Sequence, residues 1–141
     1  EDVLRGFQTV AEAKSVQLIL AGDDELTVIA DDQAIQTILS NLLDNALKHT
    51  NAGGSVTLEL TSHESSPSIL VRDTGSGIPE HLQDRIFERF YRVDRDRSRE
   101  RGGTGLGLAI VKHLCQALGA SVSVKSELGK GSEFRVMFRA V

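Results

Sequence analysis

Gly102-Gly103-Thr104-Gly105-Leu106-Gly107-Leu108 places four glycines within seven residues. An apolar run at helical spacing follows at once: Ala109, Ile110, Val111, Leu114 and Leu118. Glycine reaches backbone angles closed to other residues and lets a ligand approach the main chain. A glycine loop that opens into a helix offers unbonded backbone N–H groups and the positive end of the helix dipole. The ligand this chemistry suits is a phosphate.

A second constellation lies on the segment Asp31–His49. Its apolar residues are Ile35, Ile38, Leu39, Leu42, Leu43, Ala46 and Leu47, the spacing of a helix that buries one face. At about 100° per residue, Asn41, Asn45 and Lys48 fall together on one flank of that stripe. His49 lies nearer the stripe, and Asp44 points to solvent. An amide oxygen is a competent Mg²⁺ ligand where the metal also binds phosphate and water, and the lysine adds positive charge. Taken alone, asparagines at a helix border are better explained by hydrogen bonds to neighbouring loops, and a lone histidine such as His49 is more often structural.

Three further stretches carry glycine or aromatic punctuation. Asp73-Thr74-Gly75-Ser76-Gly77-Ile78 follows a strand in which Asp73 shares a face with Ile69 and Val71. A carboxylate on a core face needs a hydrogen-bond donor, which the exocyclic amine of a purine could supply; an ordinary Asp-containing turn is the plainer alternative. In Phe87-Glu88-Arg89-Phe90-Tyr91-Arg92, Phe87 and Phe90 would anchor the base of the charged stretch that follows, and Arg92 could reach a phosphate with its planar fork. Gly129-Lys130-Gly131 reads as a hairpin turn without chemistry of its own.

The elements that must position these residues follow from the same pattern. Helices are predicted over about Val3–Ala13, from an N-cap at Asp31 to about His49, over Glu80–Phe90, and from Leu106 to near Gly119. Strands are predicted at Val16–Leu20, Thr27–Ala30, Ser55–Thr61, Ser68–Thr74, Ser121–Ser126 and Glu133–Phe138. Arg92–Gly103 reads as a charged loop. Strands and helices alternate irregularly, which predicts an α+β chain folded as a two-layer α/β sandwich, a mixed sheet covered by helices on one face. With 141 residues the chain suits one domain. A net charge of -4 argues against a nucleic-acid partner, and no apolar run approaches membrane-spanning length. The single cysteine, Cys115, excludes an intramolecular disulfide and reads as a small buried hydrophobe. The chain opens at Glu1 without a methionine, as expected of a piece of a longer protein.

Together these residues resemble the catalytic ATP-binding domain of bacterial sensor histidine kinases, within the superfamily that includes the gyrase, Hsp90 and MutL ATPases. The resemblance runs from about Leu4 to Phe138. Asn41–Thr50 is similar to the family's asparagine box, Asp73–Gly77 to its first glycine box and Phe87–Phe90 to its phenylalanine box. Gly103–Leu108 and Gly129-x-Gly131 are similar to its second and third glycine boxes. Five motifs in the right order and spacing are far more specific than any one of them. The stretch Tyr91–Gly103 resembles the lid of the phosphate-sensing subgroup.

The resemblance implies a Bergerat-type ATP-binding fold with a mostly antiparallel sheet, and ATP and Mg²⁺ as ligands. It makes Asn45 the metal ligand, with Asn41 supporting the phosphates and Lys48 contacting them. His49 stands where many members carry tyrosine and would pack on adenine or ribose. Asp73 would accept a hydrogen bond from the adenine amine, with Gly75, Gly77 and Ile78 beside it. Arg92, Gly103, Thr104, Gly105, Leu106 and Gly107 would enclose the triphosphate, with Tyr91 a further ATP-binding residue and 92–103 as a lid. Asn41, Asn45, Lys48 and Arg92 would form the catalytic set. The superfamily's ATPases carry a glutamate base where this chain has Asn41, and an amide takes no proton at neutral pH. Fast hydrolysis by the domain alone is therefore not expected.

The implied acceptor is a histidine on a separate helical dimerisation domain, in a His-Asp/Glu-Leu-Arg-Thr-Pro type context. His49, His63, His81 and His113 lack that context, so the acceptor domain is expected to precede Glu1. A response regulator would be the further partner. A cytoplasmic, monomeric domain without membrane contact is implied, belonging to a homodimeric parent whose membrane anchorage the sequence leaves open. A nucleotide-gated binding module and an anti-sigma-type serine kinase of the same fold are the rival readings.

Overall fold

The computed structural model describes residues 2–22, 31–63, 65–89, 91 and 106–139. Helix α1 (Asp2–Ala13) leads into strand β1 (Gln17–Gly22), helix α2 (Asp32–His49) and strands β2 (Ser55–His63) and β3 (Ser66–Asp73). A single 3₁₀ turn at Glu80–Leu82 precedes helix α3 (Gly107–Leu118) and the hairpin β4 (Ser121–Glu127) and β5 (Gly131–Met137). The sheet order is β1-β2-β3-β5-β4. β1 and β2 run parallel and the remaining pairs antiparallel. A parallel pair needs a crossover; α2 makes it between β1 and β2, which lays the asparagine-bearing helix against the sheet.

Strand register separates two faces. Val56 pairs with Asp73, Leu58 with Val71 and Leu60 with Ile69; Ile69, Val71 and Asp73 pair onward with Val136, Phe134 and Ser132. This face meets the helices. Its apolar members join Ile38, Leu42, Leu43, Ala46 and Leu47 of α2 and Val111 and Cys115 of α3 in one buried core. The opposite face carries charge: Arg72 lies 3.2 Å from Glu133 and 3.7 Å from Glu59. Such solvated pairs contribute little to stability. The two-layer sandwich with helices on one face is the predicted one.

Helix α2 begins where its sequence signals it. The Asp31 carboxylate accepts from the Gln33 N–H at 3.1 Å, the N-cap geometry. At the other end, the Lys14 ammonium donates to the Leu47 carbonyl, supplying one of the donors that helix C-termini lack. Helix α3 ends at Gly119, whose φ of 70° makes it a left-handed cap.

The stretch 80–90 departs from the predicted helix. After Glu80–Leu82 its backbone bonds span three residues: Leu82 N–H to Pro79, Gln83 to Glu80, Arg85 to Leu82, Glu88 to Arg85 and Tyr91 to Glu88. The chain is a series of tight turns, held down where Phe87 meets Phe134 edge-on at 6.2 Å and 85°. Over so short a run the apolar spacing of Leu82, Ile86 and Phe87 fits either winding, and the tertiary anchor decides. The predicted strand Thr27–Ala30 lies outside the described residues.

Candidate functional site

The flank of α2 runs between two glycines. At one end, a Cβ placed on Gly107 would sit 3.1 Å from Asn41 Oδ1. Asn41 Nδ2 donates to the Thr37 carbonyl at 2.9 Å. That bond fixes the amide, because only the nitrogen can face a carbonyl. Its oxygen is therefore presented to the first turn of α3. The amide oxygen thus lies beside the N-terminal turn of α3, whose N-cap residue, Leu106, is apolar. At the other end, a Cβ on Gly75 would lie 2.3 Å from the His49 carbonyl. From Asn41 to His49 the helix advances about 12 Å at 1.5 Å per residue, the length scale of an extended nucleoside triphosphate. Asn45 and Lys48 lie half-buried between the two ends. Lys48 Nζ is 2.9 Å from the exposed Asp44 carboxylate.

Asp73 closes the far end. Only 5% of its surface is exposed. Its Oδ1 accepts from the Gly75 N–H at 2.9 Å, and the Ser132 N–H also donates to the carboxylate. Burial raises its pKa above the ordinary carboxylate value, and the two backbone bonds oppose that rise without cancelling it. The donor that a core-facing carboxylate requires is thus partly supplied by its own loop. The loop is pressed from below: a Cβ on Gly131 would fall 2.0 Å from the Asp73 carbonyl, and one on Gly77 2.2 Å from the Glu127 carbonyl. The hairpin turn read as carrying no chemistry has a structural duty here, because the Gly129 N–H donates to Ser76 O at 2.7 Å.

The fold that places this helix flank beside the buried carboxylate is shared with known proteins. Residues 30–141 match the family described as histidine kinase-, DNA gyrase B- and HSP90-like ATPase. The chain belongs to this ATPase family. It is 49% identical over 136 residues to the sensor histidine kinase RppB of Synechocystis sp., covering 96% of this chain and 30% of that protein. The chain thus spans under a third of the length of this relative. The catalytic domain of histidine kinase ThkA superposes with a TM-score of 0.84 at 25% identity, covering 99% of this chain and 88% of that one. Full-length ShkA, solved in complex with AMPPNP, gives 0.80 at 33% identity, over 99% of this chain and 30% of that one.

In this ATPase domain the structure brings together Asn41, Gly107 and the start of α3, and separately His49, Gly75 and Asp73. Ile78 and Gly77 continue the Asp73 loop. Leu106 precedes α3 and accepts from the Ile110 N–H at 2.9 Å. Tyr91 is held by Arg85, whose guanidinium lies 4.5 Å from the ring centroid. Arg92, Gly103, Thr104 and Gly105 lie outside the described residues, as does Phe90. Ser132, Ser126 and Gln83 also brace the Asp73 loop, and sequence reasoning missed them. Ser132 stands opposite Asp73 on a neighbouring strand. Only the strand pairing reveals this, because 59 residues separate the two in sequence (132 − 73). Cys115 is the buried hydrophobe predicted, its thiol pushed up to about 11 by burial.

Proposed function

We propose that this domain binds Mg·ATP along the flank of α2 and donates the γ-phosphoryl group to a histidine on a separate helical dimerisation domain of a two-component sensor kinase. The observation that carries the reading is the placement of α2: its Asn41 end meets the start of α3 at Gly107, and its His49 end meets the Asp73 loop at Gly75. Phosphates belong at the first end, where backbone N–H groups face an anion. The purine belongs at the second, with its amine toward Asp73. Full-length ShkA, solved with AMPPNP, adds support from a relative of the same fold.

Mg²⁺ fits the donors present. It takes hard oxygen ligands and keeps several waters and phosphate oxygens of its own; amide oxygens of Asn45 and Asn41 are such donors. Bound there, the ion neutralises charge on the phosphates. Asn45 would hold the metal, Asn41 Oδ1 would support the phosphates through the metal or its bound water, and the first N–H groups of α3 would orient them directly. Lys48, released in part from Asp44, would add charge where it develops in transfer. Arg92, Gly103, Thr104, Gly105, Leu106 and Gly107 would complete the enclosure, and His49, Tyr91, Gly75, Gly77 and Ile78 the walls around the base. No residue at position 41 can activate water, since an amide accepts no proton at neutral pH. That favours transfer to an external acceptor over hydrolysis. Phosphoryl transfer rests on positioning and charge stabilisation, so this domain supplies half of the reacting site and the acceptor domain the other half.

In this reading the phosphohistidine passes its group to a response regulator, the domain is a cytoplasmic monomer, and the parent is a homodimer. Among the described residues no helix is long and apolar enough to cross a membrane. The test is to add a dimerisation domain in trans and follow labelled γ-phosphate. An acid-labile phosphohistidine is the expected product. An acid-stable phosphoserine on an added partner would point to the serine kinase, and nucleotide binding without any transfer to a gated module.

A further inference from the structure

Ser126 stands at the end of a polar row that crosses the helix-facing side of the sheet. Register places Asp73 opposite Ser132 and Ser132 opposite Ser126. The Ser126 hydroxyl accepts from the Ile78 N–H at 2.7 Å and donates to the Gly131 carbonyl at 3.0 Å. Ser132 Oγ lies 2.8 Å from it. A hydroxyl has one proton and two lone pairs. With the proton given to Gly131, the Ser132 hydroxyl donates to Ser126, and every site on Ser126 is used. Gln83 closes the same bracket from above: its Nε2 donates to Ile78 O at 3.0 Å and to Ser126 O at 3.1 Å. Both faces of the Ile78 peptide environment, N–H and C=O, are therefore held by side chains 48 and 5 residues away in sequence.

We infer that Ser126 and Gln83 are positioning residues for purine recognition. The inference rests on the reading that the Asp73–Ile78 loop lines the base. Neither side chain need touch the nucleotide. Ser126 fixes Gly131 and Ser132, and Ser132 N–H in turn holds the Asp73 carboxylate. Gln83 fixes Ile78 and so the exit of the glycine turn. The consequence is directional. Loosening the bracket displaces the acceptor for the purine amine while leaving the Asn41–Gly107 end of the site untouched. Discrimination between purines, set by that one acceptor, falls, whereas the contribution of the γ-phosphate does not. A site built to bond a particular polar group loses specificity steeply when that geometry fails.

Calorimetric titration of the domain with ATP, ADP and GTP in Mg²⁺ tests this, using wild type, Ser126→Ala, Ser126→Thr and Gln83→Leu, with melting temperatures alongside. The expected result for Ser126→Ala and Gln83→Leu is an equal loss of ATP and ADP affinity, about tenfold, with a smaller ATP-over-GTP preference. Ser126→Thr, which keeps the hydroxyl, restores both. Variants that retain the wild-type ATP-over-GTP ratio, or that lose ATP and GTP affinity equally, overturn the inference. If Ser126→Ala does not fold, Gln83→Leu decides alone, as the Gln83 side chain is only half-buried. A wild-type domain that binds no adenine nucleotide overturns the parent reading instead, an outcome visible before any variant is made.

Discussion

The amide oxygen of Asn41 and the backbone of Gly107 are in such close contact that a single added methyl group would sit 3.1 Å from the oxygen. The two residues belong to different helices, and their contact defines the phosphate end of the proposed site. In Gly107→Ala, the helix gains propensity worth up to about 1 kcal/mol, while Asn41 must turn away by a few tenths of an ångström. The melting temperature should hold or rise and Mg·ATP affinity should fall several-fold. Differential scanning fluorimetry with calorimetry reads both; unchanged affinity would contradict the role given to this contact.

Asp73 couples recognition to pH. Burial raises its folded pKa above the ordinary carboxylate value. A group raised in the folded state stabilises the fold fully below its unfolded pKa and loses that contribution as pH climbs through the folded value. Ionised Asp73 therefore costs stability at neutral pH. In Asp73→Asn this cost is absent at every pH. The melting temperature of the variant minus that of wild type should shrink as pH falls from about 7 to about 4. ATP affinity of the same variant should drop about tenfold or more. Parallel pH profiles of the two proteins would show that Asp73 is not the buried, raised-pKa acceptor described above.

Gly131 lies under Asp73 with a φ of 129°, and a Cβ there would fall 2.0 Å from the Asp73 carbonyl. No flexible side chain is available to yield. Gly131→Ala should destabilise the domain by about 2 kcal/mol or more, measured by chemical denaturation. Gly129→Ala has open space around its Cβ and carries only the backbone penalty of its φ of 84°, whereas Gly131→Ala adds the contact with Asp73 to the penalty of its φ of 129°. Equal costs at the two positions would mean that the contact with Asp73 carries no weight.

Cys115 is 1% exposed and its thiol is pushed up to about 11. At about pH 7.5 the thiolate fraction is below about one in a thousand. The native domain should resist alkylation and react only on unfolding; rapid labelling under native conditions would contradict the burial.

The sequence revealed these features unevenly, for physical reasons. Helix α2 was legible because its apolar face keeps the 3.6-residue period through five turns and Asp31 marks its start. The burial of Asp73 was legible because strands alternate, so its parity with Ile69 and Val71 put it on the core face. The turns after Glu80 were misread as a helix because winding there is set by Phe87 against Phe134 and by Gln83 against Ser126, contacts 47 and 43 residues distant. The second donor to Asp73 was illegible for the same reason: it lies on a strand whose pairing only the fold supplies. Asn41 was readable as a border residue, but the direction of its oxygen depends on a bond to Thr37 within its own helix.

The central claim, a magnesium-dependent adenine nucleotide site along α2, is tested most directly by titrating ATP into the purified domain with and without Mg²⁺, in wild type and Asn45→Ala. The account predicts one site per chain, binding strengthened by Mg²⁺ in wild type, and loss of that strengthening in the variant. No heat with either ATP or ADP in the presence of Mg²⁺, or an equal response to the metal in both proteins, would contradict it.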